Sequence, residues 1–554
     1  MNALNADVLA RLNRLENFIL KFNGGEKVFW DLNVPGLHVL TVGYQYMRFA
    51  WEQGHLSLLF HSSHNDFFNK TYDILQRAGA TADSCPELWD YLRTLEKEAL
   101  AAADPEAKAD INVRLFGFLQ ALLEHSLYED YTRRTGQTVT QNQEAFRKLL
   151  VAADSFMWYD PQGNVRILAG YPWFDQSWGR DTFISFPGLL LATGRYGDAK
   201  NVLRYYAASQ RGDGLIPNLI HNDGRREYNS ADASLWFIEA LHRYYLTAKD
   251  ASRDSFMMEM LPTVNKVIEL YSVKSGLIFM DKDRLVSVPA QSTWMDSVID
   301  GVPVTPRNGK PVEIQALFYN ALGVAEFLNR EFGDKRVAAR YGRLRDNVKE
   351  AINARYFPEG RVYPLDVIGG DTHGDAVRPN AVLLLSLSMN DTLLPHARRR
   401  QIVEVIEREL LTPYGMRTLS PADSRYMGRY HTFAPMAVKD HAYHQGAVWP
   451  WLMSHYITAK RRLSPARDLS GISKDIEQNM KSLLLLVEEK NGVPELFSGD
   501  EPFTEGGTVT QAWSVGALLE LCVIASAAPK IRRISRRDMK GSVSDEIRRV
   551  LSAS

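Results

Sequence analysis

The sequence holds only two cysteines, Cys85 and Cys522, 437 positions apart, which excludes a disulfide framework and a thiolate zinc site. It has no surplus of either charge. Lys plus Arg total 65 against 66 for Asp plus Glu, so no global field draws the chain to nucleic acid or to an anionic membrane. Long apolar runs are also missing: the longest, Ala381 to Met389 (AVLLLSLSM), falls far short of the ~20 residues of a membrane span. The opening MNALNADVLARLNRLENFILKF spaces Leu, Ile and Phe at helical intervals among charges. It has neither the uninterrupted apolar core nor the small-residue cleavage site of a signal peptide, and the expectation is a soluble, cytoplasmic protein. No Gly-rich dinucleotide fingerprint follows a strand, no G-x-x-x-x-G-K-S/T loop is present and no G-x-S-x-G elbow, which removes the usual signatures of dinucleotide, nucleotide and serine-hydrolase chemistry.

What is present is a 554-residue chain with 45% hydrophobic and 24% charged residues, near the average for soluble globular proteins. That length predicts two to four domains at roughly 100–200 residues each, or one large closed structure with something smaller attached. Residues 1–65 combine a short helical start with β-branched and aromatic stretches such as LHVLTVGYQYMRFAW and HLSLLFHS, and read as a mixed region, a remnant of a β-domain. Residues 66–145 read as a helical connector, with Pro105 separating two helices. From 146 to 527 amphipathic helices such as ASLWFIEALHRYYLTA, VEIQALFYNALGVAEFL and GAVWPWLMSHYITAKR alternate with loops rich in Gly, Pro, Asp and Trp. Ten to twelve such helices without a strand-helix-strand rhythm predict a mainly α fold, an (α/α)6 toroid whose loops gather at one end. Residues 528–554 form a basic tail, read as a solvated terminal helix.

The loops carry the unusual residues. In GYPWFDQSWGRDTFISFPG (170–188), Trp173, Phe174 and Trp178 crowd around Arg180 and Asp181. Aromatic faces stack on the C–H faces of sugars, and the Arg–Asp pair supplies donors and acceptors for hydroxyls, so this cluster suits a neutral polyol. In QSTWMDSVIDGVPVTPRNGKPVEI (291–314), Asp296 follows Trp294; an acid beside a large aromatic is partly desolvated and retains its proton near neutral pH. Asp300 and Glu313 are rivals for that role. In NGVPELFSGDEPFTEGGTVTQAWSVGALLE (491–520), Glu495, Asp500, Glu501 and Glu505 are candidate bases. KDHAYHQGAVWPWLMSHY (439–456) places His441 and His444 three apart, yet without a third ligand at metal-site spacing, so no metal and no cofactor are expected. Taken singly, each carboxylate fits a helix cap or a surface position better than a catalytic role.

The order of GYPWFDQSWGRDTFIS, GLIPNLI, YNSADASLWF, TWMD with VTPRNGKPVEI, RPN, LLTPYGMRTLSP, YHQGAVWPW, PEL and TQAWS resembles the amylo-α-1,6-glucosidase part of glycogen debranching enzymes, from about residue 147 to 525. The resemblance implies an inverting glycoside hydrolase in which Asp296 is the general acid and Glu495 the general base. It implies that Trp178, Arg180 and Asp181 hold the terminal glucose, with Trp294, His444, Gln445 and Trp449 as further pocket residues. The partner is then an α-glucan oligosaccharide or polysaccharide, with a separate transferase acting on the same glucan, because the first 145 residues do not resemble the transferase half of the larger family members. Two other readings stay open: an exo-acting α-glucosidase on another α-linkage, and a catalytically silent glucan-binding module.

Overall fold

The computed structural model describes a hairpin within residues 18–32, residues 82–83 and 86–102, residue 124, and residues 127–531 apart from short gaps at 140, 160–162, 172–173, 175, 275, 371–372, 433 and 465–468. The segments LHVLTVGYQYMRFAW and HLSLLFHS, Trp173, and the tail from 532 lie outside the described residues. Phe18–Lys21 is not helical: it pairs antiparallel with Val28–Leu32, Leu20 opposite Phe29. The partner segment VFWDL is rich in residues that favour a pleated strand, and that pairing prevails over the helical spacing of the opening.

After a helix at Pro86–Ala101 (α1), twelve helices alternate between two rings. The outer ring is α2 (Gln143–Ser155), α4 (Tyr196–Ala208), α6 (Arg253–Tyr271), α8 (Lys335–Arg355), α10 (His396–Val405) and α13 (Leu469–Lys490). The inner ring is α3 (Gly179–Phe186), α5 (Ala233–Thr247), α7 (Val312–Phe332), α9 (Leu383–Ser386), α12 (Leu452–Arg461) and α14 (Ala512–Ile531). Each inner helix packs against the next, and α14 returns to α3, so the ring closes. The (α/α)6 toroid is therefore present, and a further short helix, α11 (Met436–Tyr443), lies between α10 and α12 in the chain.

Sequence explains which helix goes where. In α5 every residue from Ala233 to Tyr244 is buried, as expected of a helix that is apolar on nearly all sides. In α8 only Ala338, Tyr341, Val348 and Ile352 are buried, one stripe on a charged helix that faces solvent elsewhere. GAVWPWLMSHYITAKR is only partly helical: Val448–Trp449 is a short strand and the helix begins at Leu452. Pro450 explains the difference, since it disfavours helical backbone in the residue before it.

Closure is tight where α3 runs on into a π-helical turn, Pro187–Leu191, beside α14. A Cβ on Gly188 would lie 1.8 Å from the Gly516 carbonyl oxygen. Gly170–Tyr171 also pairs with Thr510–Gln511, so the first and last loops of the toroid are joined by backbone hydrogen bonds. Gly188→Ala is expected to destabilise the fold by about 1–3 kcal/mol, as overpacking does, read by denaturant unfolding; an unchanged midpoint contradicts this closure.

Candidate active site

Residues at the start of three inner helices, Trp178, Arg180 and Asp181 at α3, Trp449 before α12, and Gln511 and Trp513 at α14, meet residues of the long connecting loops, Trp294, Asp296 and Glu495, in one pocket. It is lined by Ala169, Phe174, Trp178, Arg180, Asp181, Trp294, Asp296, Tyr443, Trp449, Glu495, Gln511 and Trp513, and encloses about 450 Å3 including its open mouth. That is within the ~300–1,000 Å3 typical of small-molecule sites. An antiparallel sheet of short strands, Leu411–Thr412, Gly415–Arg417, Val448–Trp449, Leu496–Phe497 and Glu505–Gly506, forms part of the rim. Its pairing of Val448 with Phe497 sets Trp449 beside the loop that carries Glu495.

Arg180 is the hinge of the charged half. Its Nε donates to Asp232 Oδ2 at 2.7 Å and its Nη1 to Asp296 Oδ2 at 2.8 Å. Ser230 Oγ donates to the other oxygen of Asp232 at 2.5 Å. Beside it, Gln511 Nε2 donates to Asp181 Oδ1 at 3.1 Å, and Thr508 Oγ1 donates to Gln511 Oε1 at 2.6 Å. The same Thr508 gives its backbone N–H to Glu495 Oε2 at 2.9 Å, while Tyr443 OH donates to Glu495 Oε1. Gly507, at φ 71°, makes room for this arrangement: a Cβ there would lie 2.2 Å from Glu495 Oε2.

The apolar half is an aromatic box. Trp178 meets Phe174 edge-on at 6.3 Å, Trp294 meets Trp449 at 5.5 Å, and Trp449 meets Trp513 at 5.5 Å. Trp294 is held by its indole N–H, which donates to Asn380 Oδ1 at 2.8 Å. Asn380 in turn donates to Asp366 Oδ1 at 2.8 Å, part of a buried cluster with Arg307 and Glu313.

Burial decides the charge states. The Asp296 side chain is 36% exposed, opening to the pocket; desolvation nevertheless raises its pKa, against the pull of Arg180. Glu495, 2% exposed, is pushed up to about 7 by burial, with Tyr443 and the Thr508 N–H opposing. Burial also takes Asp181 up to about 7, against Arg180 and assisted by Glu495 and Asp296.

The rivals to these carboxyls are elsewhere. Asp300 is exposed at φ 49° in the turn between Val298–Ile299 and Val302–Pro303. Glu313 is consumed by Arg307, whose Nη2 donates to it at 2.6 Å. Asp500 accepts from Tyr426 OH at 2.8 Å, Glu505 pairs with Lys490 at 2.7 Å, and Glu501 is exposed. Two of the expected pocket residues do not line it. His444 is fully buried, stacked at 5.5 Å on Trp449 and edge-on at 5.4 Å to Trp294, so it buttresses the wall. Gln445 accepts from Arg378 Nη2 at 2.7 Å and donates to the Val304 carbonyl at 3.3 Å. Asp232, Tyr443, Gln511 and Trp513 were not singled out from the sequence, although they lie inside the motifs YNSADASLWF, YHQGAVWPW and TQAWS.

An aromatic box with two buried carboxyls, Asp181 and Glu495, and a third, Asp296, opening to the pocket fits the class of glycoside hydrolases. A family model described as amylo-alpha-1,6-glucosidase matches residues 151–520, about two thirds of the chain, and the chain belongs to that family. A glycogen debranching enzyme of Saccharomyces cerevisiae is 26% identical over 473 residues, a match covering 65% of this chain and 30% of the relative. The chain thus spans about a third of that relative's length. Among the described residues no helix is long and apolar enough to cross a membrane.

The raised Glu495 has a consequence for stability. Its folded-state pKa, about 7, lies above that of an unfolded glutamate, so the wild type loses stability as pH rises from about 4 through 7. Glu495→Gln lacks this penalty. Relative to wild type the variant is expected to gain about 3 kcal/mol between pH 4 and pH 8, read by denaturant unfolding at both values; a gap independent of pH contradicts the burial of an ionisable Glu495.

Proposed function

We propose that the protein releases single glucose units from α-1,6 branch points of glycogen-like glucans by an inverting mechanism, with Asp296 as general acid and Glu495 as general base. The observation that carries this reading is that these two carboxyls, remote in sequence, line one aromatic-walled pocket and both have raised pKa values. Trp178, half-buried at the pocket, offers its ring to the C–H face of a terminal glucose, and the buried Trp294 and Trp449 form the wall beside the acid. Arg180 and Asp181 supply polar atoms for its hydroxyls. His444 and Gln445 act from behind, by holding the Trp449 wall and the Arg378 loop contacts in place.

Cleavage begins with proton transfer from Asp296 to the departing glycosidic oxygen, as the C1–O bond breaks and positive charge develops on C1 and the ring oxygen. Glu495 takes a proton from a water that attacks C1 from the opposite face, giving β-glucose from an α-linkage. An inverting pair requires its carboxyls about 6.5–9.5 Å apart to leave room for that water. The two carboxyls are gripped by separate partners, Arg180 on one side and Tyr443 with Thr508 on the other, which favours a pair held apart.

Incubation with a dextrin bearing one α-1,6-linked glucose, followed by proton NMR, tests this directly. β-Glucose is expected first, and Asp296→Asn and Glu495→Gln are each expected to lower kcat by about 10²–10⁴. α-Glucose appearing first rejects inversion; no glucose rejects the proposed linkage and shifts the weight to another α-glucoside or to glucan binding without hydrolysis.

A further inference from the structure

Tyr443 is a polar side chain of the pocket with no part in the mechanism so far. Tyr443 closes α11, an eight-residue helix in which only Ala442 is buried. This helix touches both halves of the site. The Asp440 carbonyl accepts from Ser297 Oγ at 2.9 Å, next to Asp296 in the chain, and Tyr443 OH donates to Glu495 Oε1. The tyrosine is itself held: its carbonyl accepts from Trp449 Nε1 at 3.1 Å, and its ring lies 4.9 Å from Trp449, edge-on, and 5.9 Å from Tyr430.

With Oε2 of Glu495 accepting from the Thr508 N–H at 2.9 Å, the carboxylate is gripped on both oxygens from two different segments. Rotation about its last bond breaks at least one of these charge-assisted hydrogen bonds. Each oxygen keeps a second lone pair, and the grip fixes the direction in which it points. We infer that Tyr443 is a positioning residue for Glu495: its hydroxyl clamps the carboxylate in the rotamer that presents a free lone pair to water in the pocket.

The inference rests on the proposed role of Glu495 as base. It also sets a pH dependence. The groups facing Glu495 are the Thr508 N–H, Lys439 on α11, Asp296 and Asp181 across the pocket, and Tyr430 beside Tyr443. Of these contacts, the Tyr443 hydrogen bond is the largest that favours the ionised form. Removing it leaves desolvation and the neighbouring carboxyls less opposed, so Glu495 gains its proton at higher pH.

The test is Tyr443→Phe, which keeps the ring and removes only the hydroxyl. With the branched dextrin, kcat is expected to fall about ten- to hundredfold, the worth of a hydrogen bond to a charged group, with KM within about twofold. The acidic limb of kcat/KM is expected to move to higher pH. Without substrate, the loss of stability between pH 5 and pH 8 is expected to be steeper for Tyr443→Phe than for wild type, and the hydroxyl is expected to have no such effect in a Glu495→Gln background. A limb and a stability slope both unchanged by Tyr443→Phe overturn the clamp. A wild-type protein that hydrolyses no glucoside sinks the role of Glu495 as base, and the substrate-free slopes then still decide whether Tyr443 grips it.

Discussion

Closure of the inner ring is the constraint on which the site depends. Arg180 and Asp181 lie in the first turn of α3, and Gln511 directly precedes α14. They are neighbours only because the last inner helix packs against the first, at the close approach of Gly188 and Gly516, and because Gly170–Tyr171 pairs with Thr510–Gln511. The chain of hydrogen bonds from Asp181 through Gln511 and Thr508 to Glu495 crosses that seam. An incomplete ring would still bury much of its apolar surface, but it would leave Glu495 without a register relative to Asp296.

The second dependence is electrostatic. One guanidinium, Arg180, lies among four carboxyls, Asp181, Asp232, Asp296 and Glu495, in a site largely shielded from water. Arg180 bridges Asp232 and Asp296 directly, so Asp181 and Glu495 depend on hydrogen bonds from an amide side chain, a backbone N–H and a phenol. Full ionisation would place several negative charges in low dielectric against the cations Arg180 and Lys439, and burial raises the pKa values of Asp181, Asp296 and Glu495 above the usual carboxylate range. This is the condition that acid and base chemistry on one glycosidic bond requires, since one carboxyl must donate a proton while another is free to accept one.

The architecture was largely legible in the sequence where helices are long and patterned, as in the almost wholly buried α5 and α7 and the single buried stripe of α8. α5 and α7 run over Ala233–Thr247 and Val312–Phe332, matching the segments read as helices. Errors came where pairing or proline outweighed periodicity, at Phe18–Lys21 and before Pro450. Within the site, Trp178, Arg180, Asp181, Trp294, Asp296, Trp449 and Glu495 are brought together as expected. His444 and Gln445 were expected in the wall from the family resemblance, but a turn directs them into the packing behind it. Tyr443, Asp232 and Gln511 gain their meaning from partners 52 to 330 positions away, and no local pattern shows such partners.

The central claim is a division of labour between Asp296 and Glu495, and α-glucosyl fluoride tests it most directly, because fluoride leaves without the full proton transfer that a sugar alcohol requires. The account predicts that Asp296→Asn loses activity on the branched dextrin yet releases fluoride at a rate near wild type, whereas Glu495→Gln is slow on both substrates because the attacking water still needs its base. Equal losses of the two variants on both substrates, or fluoride release retained by Glu495→Gln and lost by Asp296→Asn, would contradict it.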